Sequence, residues 1–206
     1  MPVIVRTVRA FLAVEEIDMV YVGIKPDWHE YTNELFERFE IDSRRVKVID
    51  GGADRNGTVM NIAEAIVAEH GKNEGDIILT HDAVRPFVTE KIIKDNIEAM
   101  REHSACGTYM PAADTIIRSD GEKVRETLNR SELYQAQTPQ TFRFGDLRRN
   151  YYSLSEEQKK KLTDTCSVFT ACNEDIYLVV GDALNFKITT DSDLKMANAL
   201  AELSEK

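Results

Sequence analysis

The stretch Asp76–Ile93, "DIILTHDAVRPFVTEKII", decides how the chain is read. Its apolar run, 77–79, reads as a short buried strand, and Thr89 is placed to cap a helix over "TEKIIKDNIEAMREH". Between the two elements Thr80, His81, Asp82, Arg85 and Pro86 crowd polar and titratable groups into one turn. An aspartate at the end of a strand can ligate a hard cation such as magnesium, or a ligand hydroxyl. An arginine three residues on can present a planar fork to phosphate, and His81 has the chemistry to titrate near neutrality. Equally, Asp82 can cap the turn, Arg85 pair with it and Pro86 end the strand. The local pattern leaves both readings open.

Upstream, the same alternation repeats. "MVYVGI" (19–24) reads as a buried strand and "DWHEYTNELFERFE" as an amphipathic helix. "RVKVID" is a second strand, and "VMNIAEAIVAEHG" a helix stopped by Gly71. Strand–helix alternation with short connections predicts an α/β fold, a mostly parallel sheet flanked by helices, in one domain spanning 1–206. Ligands gather beyond the carboxyl ends of such strands. "GGADRNGT" (51–58) and "THDAVRP" both fall there. The first matches neither GxGxxG nor GxxxxGK[ST], so a dinucleotide enzyme or P-loop kinase gains little support and a plain turn is the default.

Downstream, β-branched and polar residues alternate around Ser119-Asp120-Gly121, which predicts a hairpin arm over about 112–130. A lone ribbon of this kind is marginal, so the arm needs a partner such as its counterpart on a second subunit. "IYLVVGD" reads as a strand, and Thr190 with Asp193 as a capping box on the last helix. Arg130 and Lys187, taken alone, are solvated surface cations, and Asp164 in "LTDTCS" is a helix N-terminal carboxylate.

Composition narrows the function classes. The 206 residues carry 26 basic and 36 acidic side chains, net −10, which argues against general nucleic-acid binding. A phosphorylated ligand would need cations gathered locally. Three cysteines with no CxxC pair argue against a zinc site or disulfide framework. No apolar run approaches the roughly 18 residues of a membrane span, and no signal peptide is evident at the start, so a cytoplasmic location is expected.

Taken in order, "GGADRNGT", "THDAVRPF", "NRSELYQAQTPQTF", "LTDTCS" and "NFKITTDSDL" resemble the cytidylyltransferases that activate polyol phosphates. That family includes 2-C-methyl-D-erythritol 4-phosphate cytidylyltransferase and ribitol-5-phosphate cytidylyltransferase. "THDAVRPF", "YQAQTPQTF" and "SLSEEQKKKLTDTC" are more similar to the ribitol branch, which serves teichoic acid synthesis, than to the isoprenoid branch. The resemblance implies a Rossmann-like sheet and a homodimer embraced by its arms. It also implies transfer of CMP from CTP to a polyol phosphate, with release of pyrophosphate and with magnesium present. It places Asp82, Arg130 and Lys187 in the chemistry, Asp82 at the metal, and Arg85, Thr115 and Thr138 around the polyol phosphate. Gly52, Asp54, Arg55, Asn56 and Thr58 fall where the family reads cytosine and ribose.

One departure accompanies the match. Family members open with a strand feeding an LAGGxGxRMG loop and then PKQF, whereas "MPVIVRTVRAFL" is similar to the segment just after PKQF. The resemblance therefore implies that the first strand, the triphosphate loop and two cations lie outside this sequence. Loss of one such electrostatic group typically costs about 10²–10³ in rate, so this chain is expected to be impaired. A truncated or mis-started enzyme is the preferred expectation, ahead of a cleaved fragment. The remaining alternative is a pseudoenzyme, a regulatory or scaffold module that binds ligand or partner without chemistry.

Overall fold

Helix and strand alternate as the periodicity predicts in the computed structural model, which describes residues 1–204. Helix α1 (Val3–Leu12) precedes strand β1 (Val20–Ile24), α2 (His29–Arg38), β2 (Val46–Asp50), α3 (Arg55–His70), β3 (Ile77–Thr80) and α4 (Glu90–Ala99). Then follow β4 (Ala105–Pro111), β5 (Ile117–Ser119), β6 (Val124–Thr127) and β7 (Tyr134–Arg143). The chain ends with α5 (Phe144–Ser153), α6 (Glu156–Lys159), α7 (Cys166–Ala171), β8 (Tyr177–Val180) and α8 (Asp191–Ser204). None of the described helices is long and apolar enough to cross a membrane.

The cap chemistry read from the sequence is present. Thr89 accepts the Ile92 N–H at 3.3 Å at the start of α4. Thr190 and Asp193 exchange bonds across the first turn of α8, at 2.8 and 3.2 Å. Gly71 ends α3 at φ +79°, a conformation that costs a side-chain-bearing residue dearly. Helix α3 begins four residues before its apolar spacing does, because Asp54 caps it by accepting the Gly57 N–H at 2.7 Å.

Strand pairing divides the α/β core. β1 and β2 form a parallel pair, and a second sheet runs β3-β7-β4-β8. In that sheet β3, β4 and β8 point one way and β7 alone opposes them. Among the described residues β1 and β3 each pair on one side only. Helices tie the two sheets together. Val5 and Val8 of α1 pack with Val22, Leu35, Phe36 and Val46, while Phe11 of the same helix joins Ile92, Ile93 and Leu79. On the other side α3 lays Met60 and Ala63 against Ile78 and Phe144, and Gly23 of β1 leaves room for Thr58 and Ile62. The second sheet buries Phe142 and Phe169, stacked at 4.9 Å between centroids, with Leu147 and Val168 around them. Cys166 lies in this cluster and Cys106 in a neighbouring one with Met100 and Val179; neither forms a disulfide, and burial pushes both thiols up to about 12.

The arm is a short hairpin, β5 against β6, turning through Gly121 at φ +101°. Its Ile117 and Val124 are 44% and 64% exposed. One copy of the chain leaves this apolar surface in water.

Candidate active site

The turn after β3 is pinned from four directions. Its own backbone closes when the Arg85 N–H donates to the Asp82 carbonyl at 3.0 Å. From α1, Thr7 donates its hydroxyl to the Ala83 carbonyl at 2.8 Å, and Phe11 lies 4.9 Å from the His81 ring. From β7, Thr138 Oγ1 accepts the Asp82 N–H at 3.1 Å and contacts His81 Nδ1 at 2.9 Å. From the segment after β8, the Ile188 N–H donates to the Val84 carbonyl at 2.9 Å, and Phe186 stacks on Phe87. This is why an apolar strand can run straight into charged residues: the interior supplies a partner for each polar group.

Three cations converge on the one carboxylate so placed. Arg55 Nε reaches Asp82 Oδ1 at 3.1 Å; Arg85 Nε and Lys187 Nζ reach Oδ2 at 3.3 and 3.2 Å. The Asp82 side chain is 12% exposed and that of Arg85 11%, against 31% and 43% for Arg55 and Lys187. Burial raises the Asp82 pKa, but the charges of Arg55 and Lys187 outweigh it and hold the carboxyl below its usual value. The cluster keeps two positive charges uncompensated, enough to attract a phosphate dianion to a protein that is acidic overall.

Both arginines are held by further bonds. Arg85 Nη1 donates to the Asn185 carbonyl at 2.8 Å, and Asn185, fully buried, donates its amide to the Thr138 carbonyl at 2.8 Å. Arg55 Nη1 donates to Thr165 Oγ1 at 2.6 Å. Thr165 in turn sends its N–H to Gln140 Oε1 at 3.1 Å, and Gln140 donates to Asp164 Oδ2 at 2.6 Å. Asp164 takes the Ser167 N–H at 2.8 Å, the helix-start role read for it. Asn185, Thr165 and Gln140 lie inside motifs singled out above, yet nothing in their local pattern marked them as supports.

The other expected residues distribute unevenly. Gly52, Asp54 and Thr58 build the turn into α3: Thr58 Oγ1 accepts the Gly52 N–H and donates to the Asp54 carbonyl, both at 2.9 Å. Asn56 is 8% exposed and faces the Asp164 carbonyl and Thr165 at 3.4 Å. Thr138 is 4% exposed. Thr115 and Arg130 sit on the exposed arm; Arg130 donates to the Ala113 carbonyl at 2.9 Å, and no hydrogen bond or ion pair joins either residue to the Asp82 cluster. Within one copy, then, Asp82, Arg85, Arg55 and Lys187 come together while Thr115 and Arg130 stay apart from them. His81 is pushed down to about 4 by burial, against weaker opposing pulls from the Arg85 carbonyl and the Asp82 charge.

A metal held by protein groups alone finds no support in this geometry. Among the described residues no three His, Cys, Asp or Glu side chains gather to hold one, and both Asp82 oxygens are taken by cations. A single carboxylate does fit the way magnesium is bound alongside substrate phosphates. Two surface concavities, of about 210 Å³ beside Phe144 and about 530 Å³ between α1 and residues 86–89, contain none of the four clustered side chains.

A family model described as 2-C-methyl-D-erythritol 4-phosphate cytidylyltransferase matches residues 1–202. Solved structures agree with it. A 4-diphosphocytidyl-2C-methyl-D-erythritol synthase from Anaerococcus prevotii DSM 20548 is similar at 28% identity and TM-score 0.81, over 98% of this chain and 86% of that one. A second synthase of the same description gives 28% and 0.84, over 97% and 89%. The 2-C-methyl-D-erythritol 4-phosphate cytidylyltransferase of Francisella tularensis gives 27% and 0.82, over 95% and 86%.

Proposed function

The chain belongs to the 2-C-methyl-D-erythritol 4-phosphate cytidylyltransferase family, which consists of nucleotidyltransferases, and from that premise we propose that it transfers CMP from CTP to 2-C-methyl-D-erythritol 4-phosphate. The preference for ribitol 5-phosphate expected from three motif variants gains nothing from the comparisons. Both the family model and the similar structures carry the erythritol description. In the proposed reaction an oxygen of the acceptor phosphate attacks the α-phosphorus of CTP. A new P–O bond forms there and the bond to the β-phosphate oxygen breaks, giving 4-diphosphocytidyl-2C-methyl-D-erythritol and pyrophosphate. The attacking group is already an anion and needs no general base, so catalysis falls to positioning and charge neutralisation.

The observation that carries this reading is the convergence of Arg55, Arg85 and Lys187 on Asp82 at the carboxyl end of β3. In the proposal Arg85 and Lys187 turn from Asp82 to the acceptor phosphate, and Lys187 and Arg130 neutralise charge in the transition state. Thr138 supports the Asp82–Arg85 turn that receives the phosphate. Gly52, Asp54, Arg55, Asn56 and Thr58 border the nucleoside. Magnesium entering with the triphosphate would bind Asp82 and supply further charge neutralisation. Thr115 and Arg130 reach the site from the arm of a second copy, which also covers Ile117 and Val124. The enzyme acts in the cytoplasm as a homodimer.

A pyrophosphate-release assay with CTP, magnesium and either polyol phosphate tests this. Whatever turnover the chain supports is expected with the erythritol phosphate and not with ribitol 5-phosphate, and R85A should lower its kcat/KM by about 10²–10³. Equal or faster turnover with ribitol 5-phosphate would reverse the acceptor assignment. Polyol-phosphate binding by calorimetry without pyrophosphate release would instead support a ligand-binding role. Sedimentation as a monomer would remove the arm from the site.

A further inference from the structure

We infer that His81 is a positioning residue that locks the Asp82–Arg85 turn through a single imidazole tautomer, with Thr138 acting through it instead of touching the ligand. The inference rests on reading that turn as the phosphate site. It follows from which atoms can donate. The Arg85 carbonyl, 3.1 Å from His81 Nε2, is an acceptor only, so Nε2 must carry a proton. In the opposite tautomer the bare nitrogen would face that carbonyl lone pair to lone pair. At the other end of the ring Nδ1 lies 2.9 Å from Thr138 Oγ1. That hydroxyl already spends a lone pair on the Asp82 N–H, a donor only, at 3.1 Å. Its one proton is then free to go to Nδ1, and in the neutral ring Nδ1 is the acceptor that takes it.

The bonds therefore run in one direction: Asp82 N–H to Thr138 Oγ1, Thr138 O–H to His81 Nδ1, and His81 Nε2–H to the Arg85 carbonyl. They begin and end on two of the four residues whose side chains form the charge cluster, Asp82 and Arg85, and they span the turn between them. Phe11 against the imidazole and Thr7 on the Ala83 carbonyl keep the ring and the turn from sliding apart. This chain of bonds uses the one proton and one of the two lone pairs of the Thr138 hydroxyl, and with the residue 4% exposed a single buried lone pair is all that is left for a substrate. His81 performs no proton transfer in this account. It sets where Asp82 and Arg85 stand, and misplacement of such groups by about 1 Å is costly at a phosphoryl-transfer site.

The test uses the whole chain and two readouts that need no substrate turnover. Nitrogen NMR of the His81 ring at pH 7 should show Nε2 protonated and Nδ1 bare, and T138V should accelerate solvent exchange of the Arg85 Nε–H while T138S restores it. Inorganic phosphate serves as the ligand probe: its Kd should rise about tenfold in T138V and in H81F, the loss of roughly one buried hydrogen bond. T138S should bind as the parent does, and the double variant H81F/T138V should be no weaker than either single one, because both break the same chain of bonds. A ring protonated at Nδ1, or T138V with unchanged Arg85 exchange, overturns the inference whether or not H81F folds. A parent chain that binds no phosphate would sink the phosphate-site reading, yet the tautomer and exchange measurements would still decide the role of His81.

Discussion

Replacing Asp82 with asparagine tests the charge cluster directly, because it removes the one anion shared by Arg55, Arg85 and Lys187. Breaking a buried ion pair by deleting one partner costs about 3–5 kcal/mol, since the other charge is left uncompensated. That figure fits Arg85 best, whose side chain is 11% exposed. Arg55 and Lys187 reach water more freely, and solvent-screened pairs of that kind add only about 0–1 kcal/mol each. Asparagine also keeps a carbonyl oxygen that can still accept from one cation. The expected net destabilisation is therefore about 2–3 kcal/mol in chloride buffer at pH 7, read from urea unfolding. Phosphate should then narrow the gap. The variant presents three cations without their counter-ion, binds the dianion more tightly than the parent, and gains more from mass action, about 2.7 kcal/mol at a concentration of 100 Kd. The pH dependence has a definite sign. The folded Asp82 pKa is lowered, so its contribution is complete above the unfolded value of about 3.9 and fades as pH falls through the lower folded value; D82N should lack that acid limb. A variant within about 0.5 kcal/mol of the parent, or a gap that phosphate widens, would show that Asp82 is not the counter-ion of a phosphate pocket.

Three further outcomes follow from the packing. A Cβ at Gly52 would lie 2.4 Å from the Gly57 carbonyl carbon and 2.6 Å from the Thr58 nitrogen, both backbone. G52A should therefore shift the start of α3 and cost about 2–3 kcal/mol by thermal melting, with nucleotide affinity falling in parallel. F142A empties a fully buried position stacked on Phe169 and should cost about 3–5 kcal/mol in urea unfolding; a loss under about 1 kcal/mol would mean the core closes over the void. Backbone and hydroxyl bonds from Thr189 and Thr190 pull the Asp193 carboxyl down to about 2. Because that pKa is lowered, amide-exchange protection in the first turn of α8 should hold above about pH 4 and fade as pH falls through about 2; D193N should show the weaker protection at neutral pH.

Much of the frame was legible because its causes are local. Apolar spacing marked β1, β2, β3 and α4, and Thr89, Gly71 and the Thr190–Asp193 pair marked helix ends through chemistry that needs only three or four neighbouring residues. Helix α1 starts after Pro2 with no side-chain cap bond, so the local start signal that marks α4 is missing from "MPVIVRTVRAFL". The antiparallel insertion of β7 between β3 and β4 was not legible either, as pairing order depends on contacts distant in sequence. The site divides the same way. Asp82 and Arg85 were visible as a turn with two readings; the structure bears out the pairing of Arg85 with Asp82 and adds a bond from the Asp82 N–H to Thr138 that no local pattern announced, while the ligand-binding reading belongs to the proposed function. Lys187 looked like a lone surface cation because the carboxylate it meets belongs to another strand end. Arg55 looked like part of a glycine-rich turn because the Asp54 cap that swings it toward Asp82 precedes any apolar periodicity in α3. What made each cation look ordinary is what lets the cluster work. A protein of net charge −10 gains a local positive field where Arg55, Arg85 and Lys187, each from a different element, outnumber the single anion of Asp82.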